Sequence, residues 1–337
     1  MAALFPQPEA GPPLVGIARL AAQGEAIAEG HEVEYLTLEN RSLLTRCVSR
    51  RVPFTWMINP YRGCEFACKY CYARYTHEFM ELRDSMDFER KIYVKQHTAW
   101  LLRQELRRVR PGESIAIGTA TDPYQPAERK FGTTRAILEE LARHQDLEIG
   151  LVTKGTLILR DLDLLQVLSA RNKLSICITV TTLNTELARI LEPRAPRPDL
   201  RMKIVRQLRQ AGIRAGVNCA PVLPAITDSP ADLRNLVAAA AQAGAAFVFA
   251  NPLFLKPSSL KVFLPFLEEK FPHLLPLYCE RYSSRAFLPV QYSRRISQLV
   301  KKYCLQHDLG DRFESTRNSR EHNRVVGEPA TQMQLFS

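Results

Sequence analysis

Three cysteines stand closer together than packing explains: Cys64-Glu-Phe-Ala-Cys68-Lys-Tyr-Cys71, a C-x3-C-x2-C cluster. Thiolates at this spacing converge on a metal or an iron–sulfur cluster far more readily than they settle into a core. A structural zinc site asks for four ligands, usually with a second close pair. Only His77 is nearby, and no Cys or His pair follows at finger-like distance. Three thiolates on a cubane account for the number three and leave one iron open to a small molecule. Zinc, or an unassigned thiol site, is the competing reading. The other cysteines, Cys47, Cys177, Cys219, Cys279 and Cys304, have no regular spacing. Cys177 and Cys219 lie in apolar runs and Cys304 in an amphipathic one, as small buried hydrophobes do.

Such a loop needs a rigid frame. Six apolar, β-branched runs read as buried parallel strands: Trp56 to Asn59, Ser114 to Thr119, Glu148 to Lys154, Leu174 to Val180, Arg214 to Ala220 and Ala245 to Asn251. Helical patterns follow the second to sixth runs, over Thr134 to His144, Asp161 to Ala170, Pro198 to Ala211, Ala231 to Ala243 and Ser258 to Lys270. Strands alternating with helices of about 10–15 residues predict right-handed βαβ units. Six units make an α/β fold, a partial (β/α)6 TIM-type barrel over residues 51–275, with extensions at 1–50 and 276–337. Chemistry in such barrels sits at the C-terminal strand ends, where the cysteine loop belongs. Thr121 and Asp122 close the second strand region, Lys154 the third, and Thr181, Thr182 and Asn184 the fourth. Arg194 lies in a proline-stiffened loop on the same face, and Asn218, Cys219 and Ala220 end the fifth run. Thr121 and Asp122 would serve equally well as turn caps.

The cluster CEFACKYC, with aromatic Tyr70 just before its third cysteine, resembles the signature of the radical S-adenosylmethionine superfamily. The resemblance implies that Cys64, Cys68 and Cys71 hold a 4Fe–4S cluster whose fourth iron takes S-adenosylmethionine, and that electron transfer yields a 5′-deoxyadenosyl radical. It also implies roles for Thr121 and Asp122 toward the methionyl amine, Lys154 toward the carboxylate and Thr182 toward the ribose, with Arg194 and Tyr70 beside them. Tyr70 and Tyr72 then relay a radical, or stack on adenine and pack the loop, the latter above all for Tyr70. Within the superfamily, Asn59-Pro60-Tyr61-Arg62-Gly63-Cys64, Tyr70-Cys71-Tyr72, Thr121-Asp122 and Thr153-Lys154 resemble the spore photoproduct lyase branch and its uncharacterised bacterial relatives. That branch places a hydrogen-donating cysteine near the end of the second strand, where this chain reads Gly118-Thr119-Ala120-Thr121-Asp122. A different substrate is expected, with Tyr72 and Cys219 as the catalytic candidates.

The 337 residues carry a net charge of +11, with 46% hydrophobic and 24% charged side chains, which excludes a disordered chain. No apolar stretch approaches the roughly 18 residues that span a bilayer, and the first residues lack a basic region followed by an apolar run. An oxygen-labile cluster fits a reducing cytoplasm. Residues 1–40 hold one Arg and six Glu, but residues 41–110 hold fifteen basic and seven acidic side chains and 281–337 ten and five. Two basic regions suit a polyanionic partner, and Tyr61, Arg62, Lys69, Tyr72, Arg74 and Tyr75 interleave aromatics with cations as base stacking and phosphate contact require. An enzyme acting on DNA or RNA is the leading reading. A radical enzyme on a small molecule or peptide, and a non-catalytic cluster-bearing nucleic-acid-binding module, are the alternatives. The radical readings require a low-potential reductant such as flavodoxin or ferredoxin. Residues 1–30 are expected to be loose, and Ser293 to His307 to form a helix packing Ile296, Val300 and Cys304 on the barrel. The tail's Gln332-x-x-Leu335-Phe336 resembles the peptide with which bacterial repair proteins hold the sliding clamp; the alternative is that this pair folds back on the barrel.

Overall fold

All six apolar runs form strands in the computed structural model, which describes residues 14–30, 32–48 and 52–310. In chain order the strands are β1 (Ala26–Gly30), β2 (Val33–Leu38), β3 (Thr45–Arg46), β4 (Trp56–Ile58), β5 (Tyr61–Arg62), β6 (Lys91–Lys95), β7 (Ser114–Ile117), β8 (Glu148–Thr153), β9 (Lys173–Thr179), β10 (Ala215–Val222) and β11 (Val248–Pro252). The larger sheet runs β11-β10-β9-β8-β7-β4-β3. Its six members from β4 to β11 pair in parallel, with Ile58 opposite Ile117, Ile117 opposite Leu151 and Leu151 opposite Ile176. The two-residue β3 pairs antiparallel on the outer edge. Both faces of the sheet are covered: Ile176, Cys177 and Ile178 of β9 are successive and fully buried. That is why the sequence shows continuous apolar runs here and not alternation.

Helices Thr133–Leu141, Leu162–Arg171, Pro198–Gln210, Pro230–Gln242 and Pro257–Lys270 connect or follow the strands, within a few residues of the expected bounds. Proline at the first turn of the last three suits a position whose N–H has no helical partner. The terminal helix Val290–Leu305 presents Ile296, Val300 and Cys304, all buried, to the main core. After it the chain returns to the sheet, where Gly310 bridges Phe247 just ahead of β11. No helix among the described residues is long and apolar enough to cross a membrane.

A second sheet was not foreseen. Within the N-terminal extension, Gly16–Ala22 is a helix and β1 and β2 form an antiparallel pair. With β6 and β5 they build a four-stranded sheet, β1-β2-β6-β5, in which β2 runs parallel to β6 from Glu34–Lys91 to Leu38–Lys95. Only Asn59 and Pro60 separate β4 from β5, so the chain passes from one sheet to the other immediately before the cysteine loop. Gly63 makes that entry at φ +84°, and a Cβ there would lie 2.7 Å from the Lys91 carbonyl oxygen. Only glycine accepts both demands. Gln332, Leu335 and Phe336 lie outside the described residues.

Candidate active site

The cysteine loop is pinned by its own chain. The Cys64 N–H donates to Phe88 O at 2.9 Å, Lys69 N–H to Leu191 O at 2.9 Å and Cys71 N–H to Cys68 O at 3.2 Å. From the start of helix Pro257–Lys270, the Ser259 hydroxyl donates to the Cys71 carbonyl at 2.9 Å. Ala67, at φ +54°, turns the backbone between the first two cysteines. The three thiols line one cavity of about 300 Å³, a size suited to a small-molecule site. Burial pushes all three thiols up, Cys68 to about 12; coordination to iron reverses that preference, because a ligating thiol is deprotonated. Among the described residues no three His, Cys, Asp or Glu side chains draw together around a single ion. A cubane asks for something else, one thiolate at each of three corners, and three cysteines around a shared cavity fit it.

Asp122 and Thr121 line the same cavity and are also structural ties. Asp122 Oδ1 accepts from Tyr124 N–H at 2.9 Å and Thr153 Oγ1 at 2.5 Å, and Oδ2 from Lys154 N–H at 2.7 Å. Burial raises its carboxyl against these hydrogen bonds. Thr121 Oγ1 donates to the Gly63 carbonyl at 2.6 Å. The turn-cap and cavity readings thus hold together: the side chains that shape the loop after β7 also face the cavity. Asn59, which the motif reading left without a role, ties that loop to β4, accepting from Ala120 N–H at 2.7 Å.

Lys154 ends β8 and lines the cavity. Its Nζ is 3.9 Å from Glu192 Oε1 and 5.8 Å from the centre of the Tyr70 ring. Burial alone would pull its pKa down, but the charges of Cys68 and Glu192 beside it hold it above the ordinary lysine value. Tyr70 is buried, and its phenol donates to Glu192. Tyr72 lines the cavity, donates to the Thr119 carbonyl and lays its ring 5.9 Å from that of Phe254.

Three expected site residues stand elsewhere. Thr182 borders a separate cavity of about 90 Å³ and accepts from Asn184 N–H at 3.1 Å. Arg194 pairs with Glu32 at 2.8 Å. Cys219 belongs to the main hydrophobic core, while its neighbours Asn218 and Ala220 line the cavity, because successive strand residues point to opposite faces. Dry packing pushes the Cys219 thiol up to about 12, so it is placed as a core hydrophobe and not as a donor to the site. Two of the interleaved cations and aromatics turn inward, while Arg62, Lys69, Tyr72 and Tyr75 stay half-buried. Tyr61 is fully buried and donates to Glu128 at 2.6 Å, and Arg74 is buried against Glu89 at 2.5 Å.

Residues 58–237 match the family described as the Radical SAM superfamily. The chain belongs to that superfamily. An uncharacterised protein of Mycobacterium tuberculosis (strain ATCC 25618 / H37Rv) is 37% identical over 264 residues, 76% of this chain and 77% of that one. An uncharacterised protein of Methanocaldococcus jannaschii is 28% identical over 173 residues, 51% of this chain and 62% of that one. Among solved structures, a spore photoproduct lyase mutant with bound AdoMet and dinucleoside spore photoproduct superposes with a TM-score of 0.63 at 14% identity, covering 89% of this chain and 85% of that one. SuiB of Streptococcus suis, bound to its precursor peptide SuiA, gives 0.51 at 14%, covering 75% and 46%. Both likenesses are of fold. As a radical SAM enzyme the chain takes a 4Fe–4S cluster and S-adenosylmethionine, and the three cysteines are the residues that fit the cluster.

Proposed function

We propose that this radical SAM enzyme acts on nucleic acid, in lesion repair or base modification, and that Cys64, Cys68 and Cys71 hold its cluster. The observation that carries the substrate class is the cavity's aromatic side and the basic segment that runs into it. Phe254 and Phe287 stack with centroids 4.4 Å apart and planes at 24°, and both line the cavity. Phe287 belongs to a segment, residues 281–302, with six basic and no acidic side chains, of which Arg285, Arg294 and Arg295 are exposed. Flat aromatic surfaces beside exposed cations suit a base stacked next to a bound phosphate backbone. The dinucleoside photoproduct bound by the structurally similar lyase is in keeping with this class.

Within this reading, Lys154 receives an anionic carboxylate through a charge-assisted hydrogen bond, and Asp122 offers negative charge to an amine. Tyr72, fixed to the Thr119 carbonyl, keeps an aromatic face between the cysteine loop and Phe254. When bound, the two cofactors supply reductive cleavage of a sulfonium bond and with it a carbon radical able to abstract hydrogen. The protein must keep the site dry, and the apolar lining from Phe66, Phe88, Phe249 and Leu253 does that. The test is anaerobic 5′-deoxyadenosine formation by the reconstituted, reduced enzyme, with and without damaged DNA and bulk RNA. A nucleic acid that raises the rate or takes up isotope supports the class. Product that ignores both nucleic acids returns the substrate to small molecules or peptides.

A further inference from the structure

Glu192 closes helix Thr185–Leu191 and is buried, as is Arg201 of helix Pro198–Gln210. Arg201 is held at three points: Nε donates to Pro196 O at 2.6 Å, Nη1 to Thr179 O at 3.1 Å, and Nη2 stands 2.5 Å from Glu192 Oε2. The other carboxylate oxygen accepts from Tyr70 and, at 3.0 Å, from Thr181 Oγ1, and lies 3.9 Å from Lys154 Nζ. That last distance is beyond a hydrogen bond. Glu192 is thus committed to Arg201, Tyr70 and Thr181, and Lys154 leans toward it without closing on it. Neither Glu192 nor Arg201 lines the cavity, whereas Lys154 does.

We propose that Glu192 and Arg201 are a charge-balancing pair of positioning residues that keeps Lys154 available to an anionic ligand and sets the electrostatic potential beside Cys68. A buried carboxylate facing Lys154 alone would close into an ion pair and occupy the ammonium. Cancelled by Arg201, it orients Lys154 and leaves one net positive charge among the three groups. That charge lies on the cluster side of the cavity: Cys68 and Lys154 line it together, and Tyr70, two residues after Cys68, donates to Glu192. The inference rests on membership of the superfamily and not on the nucleic-acid reading, so either can fail alone.

The experiment compares reconstituted holoenzymes by redox titration of the cluster, followed by electron paramagnetic resonance, and by S-adenosylmethionine affinity. R201Q frees the Glu192 charge to draw in Lys154, so affinity should fall about tenfold, the loss of one modest ion-pair interaction, and the midpoint potential should move negative. E192Q should move the potential positive and cost less affinity than R201Q. The double variant E192Q/R201Q should return both toward wild type. Shifts of the same sign in the two single variants, or an unmoved potential in a fully loaded E192Q, would overturn the proposal. Removing one partner of a buried pair is destabilising, so R201Q can fail to fold. E192Q against the double variant then carries the sign, because they differ only at position 201 and E192Q must have the more positive potential.

Discussion

Cys68 shares a buried apolar cluster with Cys64, Phe66 and Leu191, and its sulfur is a small part of that packing. C68A is therefore expected to fold, at a cost of about 1 kcal/mol for the small volume removed, while losing a cluster ligand. Iron and sulfide assays after anaerobic reconstitution should fall well below wild type, and the charge-transfer absorption should fade with them, at unchanged far-ultraviolet circular dichroism. Normal iron content would remove Cys68 from the ligand set. The three cysteines are legible in the sequence because few other roles need such spacing. Glu192 is not, since a Glu in a proline-rich loop looks like a solvated charge. The sequence reading chose Arg194 from that loop, yet Glu192 turns inward and Arg194 pairs with Glu32. Loop position alone does not say which side chain enters.

At the scale of elements, the short helix Tyr75–Glu78 packs a titratable residue against the second sheet. His77 is 1% exposed, packs edge-on against the rings of Phe88 and Tyr93, and meets the Lys91 carbonyl at 3.2 Å. Burial lowers its imidazole from 6.5 to about 4. Between those values the unfolded chain binds a proton that the folded chain refuses, so stability is fully present above pH 6.5 and is lost as pH falls toward 4. The loss is on the order of 3 kcal/mol. Chemical denaturation of wild type and H77F across this window should show a shallower decline in the variant; equal slopes would sink the assignment. The barrel strands could be read from the sequence because burial on both faces makes apolar residues dominate their runs. The second sheet could not, because β2 pairs in parallel with β6, more than fifty residues away, and its strands show mixed burial. Cys219 carried two readings within a correctly read strand, buried hydrophobe and thiol donor, and its face, fixed by alternation, is the core one.

For the whole molecule, net charge says less than where the charge lies. Near the cysteines, Arg74 is internal on Glu89, so it cannot serve a polyanion. The exposed cations of residues 281–302 can. Replacing Arg285, Arg294 and Arg295 together by Gln is expected to weaken DNA or RNA binding by roughly tenfold to a hundredfold near physiological salt and to flatten its salt dependence. S-adenosylmethionine cleavage without substrate should stay as in wild type. Gel-shift titrations at several salt concentrations check this, and an unchanged slope would place the polyanion, if any, on another face.

The bridge between Gly310 and Phe247, reinforced by the Gly310 N–H donating to Ala246 O at 3.1 Å, lies at the β11 end of the larger sheet. At the opposite end, the sheet stops at the two-residue β3. A parallel sheet with open backbone groups at its margin recruits other chains, and short or covered margins prevent it. The last described residues thus cap the start of that margin, and we expect them to disfavour self-association. A chain cut after Leu305 should keep its core helix contacts yet scatter light progressively as its concentration rises, whereas the full chain stays dispersed.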